Sequence, residues 1–207
     1  MAVTTTSVAE TCAAAKRAAR VLASAPTETK DAALEATARL LGERVAEILA
    51  ANAADLADEK ASGLTEALRD RLALSEERIA GMAEGVRAVA ALDDPVGEEI
   101  ERRALASGID LRKVRVPLGV IAVVYEARPN VTIDCAALTI KSGNAIVLRG
   151  SSYAERSNGV LAAIVREALA EAGLPADAVL TVGGGGREEL AELATQEGLV
   201  DLLIPRG

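Results

Sequence analysis

The 207-residue chain contains no histidine, no tryptophan and no phenylalanine, and only two cysteines. Without histidine it cannot form a Ser–His–Asp triad, a Cys–His pair or a metal site built on imidazole, and no metal site is predicted. The cysteines, Cys12 and Cys135, have neither disulfide-framework nor zinc-ligand spacing, which is typical of a reducing cytosol. With so few aromatic residues, the core must consist of alanine, valine, leucine and isoleucine, which suits packed helices and parallel strands.

The chain also has no excess of positive charge. Its formal net charge is −8, which argues against nucleic acid or an anionic membrane as a partner. No charged-then-apolar signal pattern opens the sequence, and no apolar run approaches the length of a membrane span. Half of the residues are apolar, enough for a sizeable core in one domain or one and a half. These features predict a soluble, cytoplasmic protein.

Residues 1–98 are predicted to be helical. Apolar residues recur at helical spacing from Lys30 to Asn52 and predict one helix there. A break follows at Ser62-Gly63. Ser75 is a good N-cap for the next helix, which ends before Pro95 because proline disfavours helical geometry in the residue before it.

In residues 99–116 the spacing of apolar residues changes from helical to alternating. Ser107-Gly108 is a plausible turn between two such runs, so the segment is predicted to form a charged β-hairpin. Such a hairpin suits an arm that pairs with another subunit. A capped surface ribbon would give the same pattern.

Residues 117–207 alternate between strands and helices. Right-handed crossovers then imply a Rossmann-like parallel sheet in an α/β fold. Gly173 is placed to end the second helix. The predicted strands are 119–125, 145–149, 178–182 and 200–204, and the predicted helices are 131–142, 154–171 and 187–195.

The second of these strands ends at Arg149, and ligands of open α/β sheets bind at the carboxyl edge. Arg149, Ser151 and Ser152 can all donate hydrogen bonds here, where an NAD site usually has an acid. The set therefore suits the 2′-phosphate of NADP(H). An arginine that merely caps a strand end is the alternative. The glycine run 183–186 could let a nucleotide approach the backbone before helix 187–195, or could be a flexible turn.

The segment Tyr125-Glu-Ala-Arg-Pro-Asn130, called the elbow below, also follows a strand. Asn130 is predicted to N-cap helix 131–142. The Asn130 amide or the Arg128 guanidinium could donate to an oxyanion above the sheet edge. Cys135 is close to a helix N-terminus, but its apolar neighbours and the lack of a base favour a structural role. Lys141 is near the C-terminal end of the same helix, where its positive charge interacts favourably with the helix dipole.

Several motifs together resemble the γ-glutamyl phosphate reductases, relatives of the aldehyde dehydrogenases. The most specific is Tyr125-Glu-Ala-Arg-Pro-Asn-Val-Thr132, and the resemblance extends over about residues 30–207. The other motifs are Asp70–Leu74, Asp94–Gly97, Arg115–Gly119, Lys141–Asn144, Leu148–Ser152, Ser157-Asn158, Gly173–Pro175 and Asp201–Gly207.

The resemblance implies an aldehyde dehydrogenase-like fold and the NADPH-dependent reduction of γ-glutamyl 5-phosphate to glutamate 5-semialdehyde and phosphate in proline biosynthesis. A cysteine thiolate would displace phosphate, and the thioester would accept hydride. It further implies a homo-oligomer and channelling with glutamate 5-kinase. The resemblance implies cofactor contacts along the elbow and at the end of the second strand, namely Tyr125, Glu126, Ala127, Arg149, Ser151 and Ser152. It also implies that Gly184 and Gly186 flank adenine and that Gly207 belongs to the loop over the pyrophosphate.

The oxyanion residue cannot be assigned by counting along the elbow. One count reaches Arg128, another reaches Glu126, and Asn130 matches by residue type. We expect Asn130, with Arg128 as the alternative.

Two departures from the pattern matter. The hairpin lacks the tryptophan and the Pro-Asn-Gly turn expected of the family. No cysteine has the Asn-x-Gly-Gln-x-Cys setting of the nucleophile, so the sequence resembles an N-terminal fragment that would be inactive alone. A non-catalytic NADP-binding or subunit-association module is the alternative.

Overall fold

A computed structural model describes residues 7–183 and 186–206, so the predicted contacts Gly184 and Gly207 lie outside the described residues. The helices in the described part are α1 Val8–Leu22, α2 Thr27–Glu43, α3 Val45–Ala57, α4 Glu66–Leu72, α5 Glu76–Ala90, α6 Asn130–Lys141, α7 Glu155–Glu171 and α8 Arg187–Ala194. The strands are β1 Glu99–Ala104, β2 Asp110–Val114, β3 Val120–Tyr125, β4 Ala145–Arg149, β5 Val179–Thr181 and β6 Leu202–Arg206.

The four predicted strands of the second half form one parallel sheet in the order β5-β4-β3-β6. This confirms the α/β fold. β3 is buried at every residue, and β4 is buried at all but Arg149. Uninterrupted apolar runs of this kind are typical of strands covered on both faces. β6 begins at Leu202, two residues later than predicted, because Leu199 and Val200 still close a turn onto the carbonyl of Gln196.

The strand order places the helices on opposite faces of the sheet. The chain moves one way through β3, β4 and β5 and then returns across the sheet to β6. With right-handed crossovers, α6 and α7 cover one face and α8 covers the other. α1 contacts α8, and α2, α3 and α5 pack onto α6 and α7. The amino-terminal helices and the sheet therefore share one hydrophobic core.

The predicted helix from Lys30 to Asn52 is wrong as a single element. The chain leaves helical geometry at Arg44, with φ −107° and ψ 23°, so that α2 and α3 are separate helices. Gly42 precedes the break and has low helix propensity. Both helices pack against α7, and the Arg44 guanidinium is ion-paired with Glu167 of that helix.

Two buried lysines join the amino-terminal helices to α6. Lys30 is fully buried; its Nζ lies 2.5 Å from Asp94 Oδ2 and donates to the carbonyl of Lys141 at 3.2 Å. Lys141 Nζ lies 2.5 Å from Asp31 Oδ1 and donates to the carbonyl of Ala90 at 2.7 Å. Lys141 therefore does more than interact with the helix dipole, since each buried ammonium has a partly buried carboxylate partner.

The hairpin prediction is confirmed. β1 and β2 pair antiparallel, and every residue of both strands is exposed. The turn is closed by Gly108, whose φ of +86° is a backbone conformation that favours glycine. Ion pairs on the surface of the hairpin join Arg102 to Asp110 and Arg112 to Glu99.

Candidate active site

A cavity of about 250 Å³ opens at the carboxyl ends of β3, β4 and β5. This is the edge at which open α/β sheets bind ligands. The cavity contains two residues of the predicted cofactor set, Tyr125 and Ser151, together with Gly183 of the glycine run. We call it the sheet-edge cavity; its full lining is Tyr125, Leu148, Gly150, Ser151, Glu155, Asn158, Gly159, Thr181, Val182 and Gly183.

A buried chain of hydrogen bonds supports this cavity. The Thr132 hydroxyl donates to Asn158 Oδ1 at 3.0 Å, which leaves Tyr125 Oη to donate to Thr132 Oγ1 at 2.7 Å. Burial raises the pKa of Tyr125 to about 12, so its hydroxyl keeps its proton. A Cβ at Gly150 would lie 2.2 Å from Asn158 Nδ2 and 3.1 Å from Tyr125 Oη. Only glycine fits there, and the motif Ser157-Asn158 was the sequence signal for this support.

Arg149 lies at the carboxyl end of β4, as predicted. Its Nη2 is 3.5 Å from the carbonyl oxygen of Gly186, the residue before α8. Its Nε is 3.7 Å from Glu189 Oε1. The sequence did not point to Glu189, because an acid in the first turn of a helix is explained by the helix dipole alone.

The two predicted serines follow Arg149 in a tight turn. Ser151 Oγ accepts from the backbone N–H of Tyr153 at 3.3 Å, and Ser152 begins a short 3₁₀ helix. Ser151 lines the sheet-edge cavity, whereas Ser152 is not among its lining residues. Of the two predicted serines, Ser151 is thus the one that faces this cavity.

The first three residues of the elbow have different surroundings. Tyr125 lines the sheet-edge cavity, but Glu126 and Ala127 do not. Glu126 is exposed, 3.9 Å from Arg71. Ala127 is buried in a small apolar cluster with Leu72 and Ala154.

A second cavity, of about 340 Å³, lies where α4, α5 and the elbow meet. Both candidate oxyanion residues, Arg128 and Asn130, line it. We call it the elbow cavity; its full lining is Asp70, Arg71, Ala73, Leu74, Arg78, Gly81, Met82, Arg128, Asn130 and Asp134.

The prediction that Asn130 caps α6 is wrong. Pro129 already has helical angles, φ −57° and ψ −33°, and occupies the capping position without a side-chain hydrogen bond. Asn130 is thus the first residue of the helix, and its Nδ2 donates to Asp134 Oδ2 at 3.1 Å. The Asn130 amide still lines the elbow cavity, and helix capping does not explain why an asparagine is present at this position.

Arg78 holds the far wall of the elbow cavity together. Its guanidinium donates to the carbonyl oxygens of Asp70 and Ala73 and to the Asp70 carboxylate. These contacts join the end of α4 to α5. Both partners of Arg78 belong to the motif Asp70–Leu74, whose sequence alone does not indicate a cavity.

Neither cysteine is activated as a nucleophile. Burial raises the pKa of the fully buried Cys12 thiol, and the charge of Glu192 raises it further. Burial also raises the pKa of the half-buried Cys135, and the nearby charge of Arg206 offsets this only in part. Cys135 packs against the core, in keeping with a structural role.

Sequence comparison relates the chain to one enzyme family. The pattern of the aldehyde dehydrogenase family matches residues 1–203. A gamma-glutamyl phosphate reductase of Leifsonia xyli subsp. xyli is 51% identical over 204 residues, covering 99% of this chain and 48% of the relative. The gamma-glutamyl phosphate reductase of Koribacter versatilis is 55% identical over 194 residues, 94% of this chain and 46% of the relative. The chain spans about half the length of the curated relatives it matches.

Solved structures agree with these relatives. The gamma-glutamyl phosphate reductase of Thermotoga maritima superposes with a TM-score of 0.93 at 39% identity, covering 97% of this chain and 48% of that one. The enzyme of the same name from Saccharomyces cerevisiae gives 0.87 at 32%, covering 96% and 50%. None of the helices in the described residues is long and apolar enough to cross a membrane. Because the family pattern covers nearly the whole sequence, the chain belongs to the aldehyde dehydrogenase family.

Proposed function

We propose that this chain forms the cofactor-side half of a γ-glutamyl phosphate reductase, which converts γ-glutamyl 5-phosphate and NADPH into glutamate 5-semialdehyde, phosphate and NADP⁺ in proline biosynthesis. The observation that carries the proposal is the identity of 51–55% to gamma-glutamyl phosphate reductases over nearly the whole chain. The sheet-edge and elbow cavities, which are lined by different residues of the elbow, suit a cofactor and a small substrate.

The sheet-edge cavity is the proposed NADP(H) site. Its position at the carboxyl ends of three parallel strands and the donors of Arg149, Ser151 and Ser152 fit a dinucleotide with a 2′-phosphate. When bound, the cofactor supplies the hydride. Tyr125 holds this edge through its buried hydrogen bond, and Gly150 keeps the cavity open.

The proposed nucleophile is neither Cys12 nor Cys135, since burial raises both thiol pKa values and thiolates are the reactive form. We propose that it comes from the part of the relatives' length that this chain does not span. The Asn130 amide would then donate to the oxyanion formed when the thiolate attacks the acyl phosphate, and phosphate would leave.

The hairpin is the proposed site of self-association. Its strands expose Ile100, Leu111 and Val114, which are 49%, 44% and 39% exposed. Apolar side chains on a fully exposed ribbon suit pairing with a second subunit. A homo-oligomer in the cytoplasm, with transfer of the acyl phosphate from glutamate 5-kinase, completes the proposal.

The proposal is tested in the reverse direction with the active enzyme that contains this chain. Glutamate 5-semialdehyde, phosphate and NADP⁺ should yield NADPH with multiple turnovers. Without phosphate, NADPH formation should stop after about one equivalent per active site, because the thioester formed by hydride transfer then has no acceptor that gives the acyl phosphate. Multiple turnovers without phosphate would instead indicate an ordinary aldehyde dehydrogenase. In a parallel titration, the 207-residue chain should bind NADPH more tightly than NADH.

A further inference from the structure

We propose that the elbow cavity binds the α-amino-acid end of the substrate, with Arg71 and Arg128 holding the α-carboxylate and Asp134 the α-ammonium. The inference rests on the proposed function, under which the substrate is a γ-glutamyl compound. It gives a ligand role to residues of α4 and α6 that lie outside the sheet-edge cavity.

The charged side chains that line this cavity differ in how closely they are paired with other protein groups. Arg78 and Asp70 are bound to each other, with an Nη2–Oδ1 distance of 2.8 Å. Arg71 has only a loose partner, Glu126, at 3.9 Å, and its side chain is 47% exposed. Within the described residues, the Arg128 side chain takes part in no hydrogen bond or ion pair. Two guanidinium groups are thus available to a ligand, and guanidinium binds carboxylate through paired charge-assisted bonds.

The opposite charge comes from α6. Asp134 lies one helical turn after Asn130 and accepts a hydrogen bond from it. Burial raises the pKa of Asp134, and the hydrogen bond from Asn130 and the charge of Arg206 offset this effect only in part. A carboxylate that lacks full compensation is stabilised by a cationic ligand group.

The arrangement matches a zwitterion of limited length. A cavity of about 340 Å³ falls within the range of small-molecule sites, about 300–1,000 Å³. Asn130, the proposed oxyanion donor, lies on α6, whereas Arg71 lies on α4, and both line the cavity. A plain aldehyde would leave both charges of the cavity unpaired, so these residues select for an amino acid.

The test uses three stable methyl esters that share the reacting end. L-Glutamate γ-methyl ester has both α groups, monomethyl glutarate lacks the ammonium, and methyl 4-aminobutanoate lacks the carboxylate. Binding to the 207-residue chain is followed by NMR titration, and NADPH is titrated into the same samples. We expect the glutamate ester to bind about tenfold more tightly than either of the others, or better, since a charge-assisted hydrogen bond contributes about that factor.

Two variants should distinguish the contact to the α-carboxylate from the contact to the α-ammonium. Arg71→Gln should weaken the glutamate ester and monomethyl glutarate and leave methyl 4-aminobutanoate unchanged. Asp134→Asn should weaken the glutamate ester and methyl 4-aminobutanoate and leave monomethyl glutarate unchanged. Arg87→Gln is the matched control, because Arg87 lies on α5 outside the cavity and should affect none of the three.

Equal affinity of the wild-type chain for the three esters, no binding of any of them, or equal effects of both variants on all three would overturn the inference. The NADPH titration shows whether a variant is folded. If phosphate-dependent reductase activity is found and the esters are not distinguished, the inference alone fails. If the esters are distinguished and the reductase assay is negative, the amino-acid site stands and the proposed function fails.

Discussion

The guanidinium of Arg149 lies beside the carboxylate of Glu189, with 3.7 Å between Nε and Oε1. A 2′-phosphate bound at Arg149 would compete with the Glu189 carboxylate for the guanidinium. Arg149→Glu should abolish the preference for NADPH over NADH, because a charge-assisted contact of about 1.5–3 kcal/mol is lost. Calorimetric titration of both cofactors measures the ratio of affinities, and an unchanged ratio would remove Arg149 from the site.

Glu189→Gln is the complementary change. It removes the competing charge and leaves Arg149 in place, so NADPH should bind several-fold more tightly while NADH is unaffected. The same titration measures it. A fall in NADPH affinity would mean that Glu189 positions Arg149 rather than competing for it.

The two elbow residues should differ in kinetics. Asn130→Ala should lower kcat by about 10²–10³, the usual cost of removing one oxyanion donor. Arg128→Gln should raise KM for the semialdehyde with little change in kcat, because it loses a contact made equally in the ground and transition states. Steady-state kinetics in the active enzyme separate the two, and the reverse pattern would assign the oxyanion to Arg128.

Cys135 should prove dispensable. Since burial raises its pKa, the thiol is almost wholly protonated at pH 7 and should react slowly with iodoacetamide, more quickly only at alkaline pH. Cys135→Ala should keep full turnover in the active enzyme. Loss of turnover in a variant with unchanged thermal unfolding would contradict the structural role.

Breaking the Lys30–Asp94 ion pair should destabilise the fold. Lys30→Met leaves the Asp94 carboxylate without its ammonium partner and should lower the free energy of unfolding by about 1–3 kcal/mol, because Asp94 is only partly buried and keeps the donors of Thr27 and Val96. Adding Asp94→Asn to this variant should restore part of the loss, because no unpaired charge then remains. Urea unfolding of the single and double variants measures both effects; a double variant no better than the single one would count against the ion pair.

The same pair predicts a pH dependence. Burial raises the pKa of Asp94, but hydrogen bonds from Lys30, Thr27 and the Val96 N–H outweigh burial and place it below the ordinary 3.8. The folded state therefore binds its proton less tightly than the unfolded state. The stabilisation is present above pH 3.8 and is lost as the pH falls through the lower, folded-state pKa. Asp94→Asn should remove this part of the acid sensitivity of unfolding.

The elements that sequence patterns predicted well are those with local causes. The buried strands β3 and β4 are uninterrupted apolar runs, and the hairpin turn requires the positive φ that Gly108 adopts. The break at Arg44 was missed because no proline marks it and the apolar periodicity continues through Gly42-Glu43-Arg44. In the structure, Arg44 contacts Glu167 of α7, which lies more than a hundred residues away in sequence.

The parts of the site that were missed depend on distant contacts. Lys30 and Asp94 look like surface charges in sequence, and only the fold brings them together in the core. Arg71 carries no local sign that it faces the elbow. The motif Asp70–Leu74 resembles the family pattern, but only the fold brings its residues into one cavity with Arg128 and Asn130.

The last strand has a consequence for the order of folding. Lys16 Nζ contacts the Asp201 carboxylate across 185 residues of sequence, and that carboxylate also accepts from the Val120 N–H at 2.7 Å. The hairpin strands, by contrast, pair between near neighbours in the chain. Loop-closure entropy makes contacts between distant residues slow to form. We therefore expect the hairpin strands to pair before β6 joins the sheet, and pulse-labelling hydrogen exchange during refolding measures this order.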